Sequence, residues 1–138
     1  MIPLLLFLIM GTASDIKKRS IPAAMFLVFG MLGALDFMIS GRTAPVNELL
    51  GIILGVVFIG ISLISDNKLG MGDALAILVT GIFLGGAEAS CTVLYAMLIT
   101  AVFSIIILAS GRGSRTTAMP FMPFLLAGYM LDRLGAMI

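Results

Sequence analysis

The stretch KLGMGDALAIL, residues 68–78, places Asp73 between a glycine-containing turn and an apolar run that begins a candidate membrane helix. An ionised carboxylate is costly in hydrocarbon, so an apolar sequence keeps one at such a position only for a reason. One reason is local, because aspartate is among the best residues for capping the N-terminus of a helix. The other is chemical, because a partly desolvated carboxylate can exchange protons.

The composition of the whole chain indicates a membrane protein. Of its 138 residues, 61% are apolar and 11% are charged, and the mean hydropathy is +1.23, whereas a soluble domain of this size needs a more polar exterior. The net charge of +1 provides no basic surface for nucleic acid, and the absence of histidine excludes His-based catalysis and the commonest metal ligand. The single cysteine, Cys91, lies in an apolar run and is interpreted as structural.

Polar connections divide the chain into six apolar segments. They cover residues 1–15, 22–40, 45–65, 72–87, 88–110 and 118–137. The sequence therefore predicts an all-α, polytopic membrane protein with six transmembrane helices in a single domain, residues 1–138. Only Glu88 and two adjacent glycines mark the boundary between the fourth and fifth segments.

Two pairs of glycines four residues apart occur within these segments. The first pair is Gly51 and Gly55, and the second is Gly81 and Gly85. Such patterns let helix backbones approach each other closely, so they predict tight helix packing rather than a ligand site.

The cations are distributed unevenly among the connections. The first, third and fifth connections carry six of the eight: Lys17, Lys18, Arg19, Lys68, Arg112 and Arg115. The opposite side receives only Arg42 and Arg133. Positive residues favour the cytoplasmic side, so both termini are expected on the outer, periplasmic or extracellular face. The first segment precedes its positive charges, which predicts a retained helix rather than a signal peptide.

Two of the six segments are shorter than a membrane span. A helix needs about 20 residues to cross the hydrocarbon, whereas the first and fourth segments reach only about 23 Å at 1.5 Å per residue. Asp15 ends the first segment and Asp73 opens the fourth, both on the predicted cytoplasmic side. If the other ends of these helices reach the outer interface, both carboxylates lie at the same depth, below the cytoplasmic headgroups.

Two carboxylates at one depth suggest acid–base chemistry if they meet. A close pair shares a proton, so the ionised member can take a proton from water while the protonated member donates to a carbonyl. Gly70 and Gly72, on either side of Met71, would allow unusual backbone angles and the close approach of an extended peptide. We therefore consider Asp15 and Asp73 catalytic candidates and the three residues before Asp73 substrate-binding candidates.

Simpler roles for both aspartates remain open at this point. Asp15 could be an interfacial residue neutralised by Lys18 or Arg19 about one helical turn further on. Asp73 could be the N-cap of its helix.

Three stretches of the sequence together resemble a known family. They are SDIKKRSIP (residues 14–22), GMGDA (residues 70–74) and MPFMPFLLAGY (residues 119–129). In order and spacing they are similar to the first aspartate motif, the GxGD motif and the C-terminal Pro-Phe-x-Pro-Phe segment of type IV prepilin peptidases and archaeal preflagellin peptidases. These are membrane aspartyl proteases of the GxGD class. The combination covers nearly the whole chain and is more specific than any one motif.

This resemblance implies that Asp15 and Asp73 are the two catalytic aspartates of an endopeptidase. The implied substrates are prepilin-like precursors, whose short basic leader is cleaved on the cytoplasmic side of the inner membrane, in contact with lipid. The resemblance implies no metal and no cofactor. The chain lacks the cysteine-containing insert of larger bacterial members. It therefore resembles the minimal form associated with tight-adherence pili, and methyltransferase activity is not expected.

Two functions of other classes are kept as alternatives. A non-catalytic membrane scaffold or pilus-assembly factor could retain the same fold. A small proton-coupled transporter could use the two aspartates as a relay.

Overall fold

The computed structural model describes residues 2–18, 21–41, 45–65, 70–111 and 119–138. This part of the chain forms α-helices and contains no β-strand, so the predicted all-α class is confirmed for it. The helices are α1 (Ile2–Lys18), α2 (Ala23–Ile39), α3 (Pro45–Ile64), α4 (Met71–Ala109) and α5 (Met122–Met137).

The described residues form five helices where the sequence predicted six. The predicted fourth and fifth segments both belong to α4, which is interrupted by one non-helical residue, Gly85, with φ 76° and ψ 178°. Glycine reaches this conformation without a steric penalty, so the brief turn expected in GGAEAS (residues 85–90) is made by one residue of that stretch. Among the described helices, α3 and α4 are long and apolar enough to cross a membrane. The prediction of six membrane spans is therefore not supported, and neither is the prediction that both termini face outward.

One end of the helix bundle brings α1, α4 and α5 together. The backbone N–H of Met122, the first residue of α5, donates a hydrogen bond to Asp15 near the end of α1. Asp15 in turn lies close enough to Asp73, in the first turn of α4, for their charges to interact. We call this region, defined by Asp15, Asp73 and Met122, the dyad end. Since α1 runs toward the dyad end and α5 runs away from it, Ile2 and Met137 lie at the opposite end.

The path of α4 reverses at Gly85. Asp73 and Phe103 would be about 45 Å apart in a continuous helix. Asp73 belongs to the dyad end, and the Phe103 ring lies 5.5 Å from the ring of Phe124 in the first turn of α5. The first part of α4 therefore begins near the start of α5, and the second part ends near it. The part after Gly85 thus runs antiparallel to the part before it.

The glycine pairs hold α3 against the first part of α4. A Cβ added to Gly51 would overlap the carbonyl oxygen of Gly81, and a Cβ added to Gly81 would overlap that of Gly51. At Gly55, an added Cβ would overlap Leu78. The predicted close packing at these glycines is confirmed, and it fixes the position of the helix that carries Asp73.

The core is made of apolar side chains from α1, α2, α4 and α5. Phe7 is fully buried, and its ring centroid lies 6.0 Å from that of Phe26 and 5.3 Å from that of Phe29. The outer surface is apolar as well, with large exposed side chains such as Ile39 and Ile64. An apolar exterior suits lipid rather than water, in agreement with the composition.

Candidate active site

Asp15 lies on the buried face of α1. The buried residues of this helix include Leu4, Leu8 and Gly11, which precede Asp15 at the three- and four-residue spacing of one helix face. Asp15 continues that face into the last turn of the helix and is only 8% exposed. The helix therefore turns this carboxylate into the bundle, although it is followed directly by exposed lysines.

The start of α5 supplies a hydrogen-bond donor to this carboxylate. The backbone N–H of Met122 lies 3.2 Å from Asp15 Oδ2 in a buried environment. The first N–H groups of a helix have no partner within that helix, and the next residue, Pro123, has none to donate. Asp15 thus caps α5 from a different helix, 107 residues away in sequence.

Asp73 lies in the first turn of α4 and is half-buried. The N-cap position of this helix belongs to Gly70, which excludes the alternative that Asp73 is the N-cap. The Asp73 side chain folds back toward Gly70, with Oδ2 3.0 Å from the position that a Cβ on Gly70 would take. Gly70 therefore provides the space in which this carboxylate lies.

The two glycines before Asp73 do not have unusual backbone angles. Gly70 has φ −56° and ψ 132°, which any residue can adopt, and Gly72 is within the helix. The described glycines with positive φ are elsewhere: Gly41, Gly85 and Gly111. The predicted conformational role of Gly70 and Gly72 is thus wrong. The predicted access for a peptide is compatible with the structure at Gly72, because a Cβ added there would meet none of the described residues within 4 Å.

The structure brings Asp15 and Asp73 together at the dyad end, within range of electrostatic interaction. Gly70, Met71 and Gly72 lie directly beside this pair in the chain and are half-buried. Within the described residues, no group of three or more His, Cys, Asp or Glu side chains could hold a metal ion. Two carboxylates within electrostatic range of each other can share and exchange protons.

The simpler role considered for Asp15 was that of an interfacial residue neutralised by Lys18 or Arg19. Its carboxylate accepts a hydrogen bond from α5, while Lys18 is exposed at the end of α1. Arg19, the other cation considered as a partner, lies outside the described residues.

Two polar contacts of the structure were not predicted from the sequence. The first is the bond from Met122 to Asp15, for which the only signal was a helix start marked by Pro123. The second is the ion pair between Glu88 in α4 and Arg133 in α5, at the end of the bundle opposite the dyad end. Glu88 was expected only to mark the boundary between the fourth and fifth segments; it is half exposed and also joins two helices.

Comparison with known proteins agrees with the resemblance found in the motifs. The sequence profile of the type IV leader peptidase family matches residues 2–105, a range that contains both aspartates and the GxGD motif. No curated protein matches the chain significantly. No solved structure does either. Because the matched range covers well over half of the sequence, the chain belongs to the type IV leader peptidase family.

Proposed function

We propose that this protein is a membrane-embedded aspartyl endopeptidase that removes the short basic leader of type IV prepilin-like precursors. The observation that carries this proposal is that Asp15 and Asp73 lie within range of electrostatic interaction at one end of the bundle, in a member of the leader peptidase family. A peptidase of this kind needs one carboxylate to activate water and another to protonate the carbonyl of the scissile bond. These two aspartates would share those roles.

The proposed reaction is general acid–base hydrolysis. The ionised aspartate takes a proton from water as the water oxygen bonds to the scissile carbonyl carbon. The protonated aspartate gives its proton to the carbonyl oxygen. When the tetrahedral intermediate collapses, the C–N bond breaks and the leaving nitrogen takes the proton held by the first aspartate, while a hydroxyl of the intermediate returns a proton to the second.

The residues Gly70, Met71 and Gly72 would form the approach for the substrate. This idea is supported by the open space beside Gly72, where a Cβ would meet no atom within 4 Å. An extended peptide could lie against this part of the helix without a side chain in its way. The leader would then reach the dyad from the side of α4.

We further propose that the dyad end faces the cytoplasm. Support comes from the exposed Lys17 and Lys18 at the end of α1, next to Asp15. The other basic connections follow Ser65 and Gly111 in the sequence, and positive residues favour the cytoplasmic side. In this orientation both termini lie on the outer face, the site lies at the inner edge of the cytoplasmic membrane, and a cytoplasmic basic leader can reach it.

The test is co-expression with a prepilin precursor of the tight-adherence type. Processing is scored by the mobility of the precursor and by the N-terminal sequence of the product. Asp15→Asn and Asp73→Asn should each reduce processing about 100-fold or more, the usual range for loss of general acid–base catalysis. The matched control is Asp36→Asn, on α2 away from the dyad end, which should process normally.

Equal membrane levels and unfolding temperatures of the four proteins would establish that folding is preserved. Unchanged processing in both dyad variants would overturn the peptidase proposal and favour the scaffold. Loss of a pH-driven flux in place of cleavage would favour the proton relay.

A further inference from the structure

We propose that the Met122 N–H makes Asp15 the ionised base of the dyad and thereby leaves the shared proton on Asp73, the acid. This inference rests on the proposed function and deepens it, because the family resemblance assigns the two aspartates without dividing their roles. Met122 is a positioning residue here, since it acts on the reaction only through Asp15.

The hydrogen bond from α5 is the first step of the argument. A backbone N–H at 3.2 Å from Asp15 Oδ2 binds a carboxylate more strongly than a neutral carboxyl group. The bond is buried, so water does not compete for it freely. It also comes from the first residue of a helix, the end at which the helix dipole favours negative charge. All three features stabilise Asp15 in its ionised form.

The charged groups around Asp15 are the second step. Among the described residues, Asp73 on α4 lies within range of electrostatic interaction with Asp15, and Lys17 and Lys18 follow Asp15 in the last turn of α1 with exposed side chains. The acid of α2, Asp36, lies toward the far end of its helix.

The charged residues of α5 do not alter this picture. Asp132 and Arg133 lie about ten residues beyond Met122, and Arg133 pairs with Glu88 at the opposite end of the bundle. At the dyad end, α5 therefore acts on Asp15 through its N-terminus and not through a charged side chain.

The consequence for Asp73 is the third step. An ionised Asp15 disfavours a second negative charge nearby, so a proton shared by the pair stays on Asp73. Asp73 also lies in the first turn of its own helix, which favours its ionised form. The last turn of α1 and the burial of Asp15, in contrast, disfavour a charge on Asp15. The direct hydrogen bond from Met122 opposes these contributions, and it is the interaction on which the assignment of Asp15 as the anion rests.

The reaction can then be written with assigned atoms. Asp15 takes the proton of the water whose oxygen bonds to the scissile carbonyl carbon, with Oδ2 held by Met122. Asp73 donates its proton to the carbonyl oxygen. On collapse, the leaving nitrogen takes the proton from Asp15 and a hydroxyl of the intermediate restores the proton of Asp73, so the dyad ends as it began.

The test replaces the amide at Met122 by an ester, using the α-hydroxy analogue of methionine, which removes the N–H and keeps the side chain. The purified full chain is assayed in lipid nanodiscs with a synthetic precursor peptide that carries a basic leader and the start of an apolar helix. The acidic limb of the kcat profile should move to higher pH by several tenths of a pH unit or more, with KM little changed. The acidic limb reports the group that must be ionised, which is the base.

The matched control is an ester at Phe124. Its N–H donates to the carbonyl oxygen of Phe121 at 3.0 Å, so this change disturbs the same turn of α5 without removing the bond to Asp15. The control should leave both limbs in place. Movement of the basic limb in the Met122 ester would make Asp15 the acid and overturn the assignment. Equal movement in both esters, or none in either, would also overturn it.

A second measurement separates this inference from the proposed function. In the Asp73→Asn background, the infrared titration of the Asp15 carboxylate should move to higher pH with the Met122 ester and not with the Phe124 ester. If that shift occurs while the wild-type protein cleaves no precursor, the peptidase proposal fails and the action of Met122 on Asp15 stands. Without the shift, the inference fails even if cleavage is observed.

Discussion

The side chain of Asn47 in α3 caps the second part of α4, with its Oδ1 accepting a hydrogen bond from the Ala87 N–H at 3.0 Å. The reversal at Gly85 creates a new helix start, and the first N–H groups after it lack partners within that part of the helix. A cap normally comes from the residue just before the helix, but glycine has no side chain to provide one. The neighbouring helix supplies it instead.

Replacing Asn47 should therefore destabilise the fold. We expect Asn47→Ala to lower the free energy of unfolding by about 1 kcal/mol, the usual cost of losing a cap. Asn47→Asp retains an acceptor oxygen and should lose much less. The measurement is unfolding by titration with a denaturing detergent, followed by circular dichroism. An equal loss in both variants would argue against capping as the role of this side chain.

The reversal itself should depend on glycine. Gly85 has φ 76° with ψ 178°, a conformation that costs other residues about 1–3 kcal/mol. An added Cβ would also lie 2.5 Å from the side-chain nitrogen of Asn47. Gly85→Ala should thus reduce stability by at least that amount. Gly30→Ala, at an open helical position of α2, should cause no loss. Comparable unfolding of the two variants would contradict the reversal.

The contact between Gly51 and Gly81 gives a prediction about packing. The two backbones meet with no room for a Cβ on either residue, so Gly81→Ala must push α3 and α4 apart. We expect a loss of about 1–3 kcal/mol, the usual cost of overpacking. Gly60→Ala on α3 has open space around it and should be neutral or slightly stabilising, because alanine favours the helix. Thermal unfolding in detergent would distinguish the two.

Much of the helical layout was predictable from the sequence. The predicted segments 22–40 and 45–65 agree closely with α2 and α3, because polar residues, glycine and proline punctuate the chain at their ends. The break in α4 was predicted as a brief turn near GGAEAS, with the segment boundary after residue 87, and it lies at Gly85, the first residue of that stretch. A helix surrounded by lipid and apolar neighbours has little polar pattern to mark its faces, so the hydrophobic sequence continues through Gly85 without interruption.

The sequence predicted the two aspartates of the candidate site but not the backbone hydrogen-bond donor beside them. Asp15 and Asp73 stood out because ionisable residues are rare in this sequence and both fell on the same predicted side. The donor at Met122 could not be found in this way, because a backbone N–H carries no signature of residue type. Its position depends on where α5 begins relative to α1, which is a property of the packed bundle.

The two glycines before Asp73 should affect different steps of catalysis. A Cβ on Gly70 would lie 3.0 Å from Asp73 Oδ2, so Gly70→Ala should displace that carboxylate and lower kcat for precursor cleavage by about 10-fold or more. Gly72→Ala adds a methyl group into open space beside the site. If the peptide approaches there, this change should raise KM while leaving kcat nearly unchanged.

Both variants should unfold at nearly the wild-type temperature, because neither added Cβ meets the backbone of another helix. We infer that Gly70 makes room for the Asp73 carboxylate and Gly72 leaves room for the substrate. A fall in kcat for Gly72→Ala, or an effect on KM alone for Gly70→Ala, would refute this division of roles.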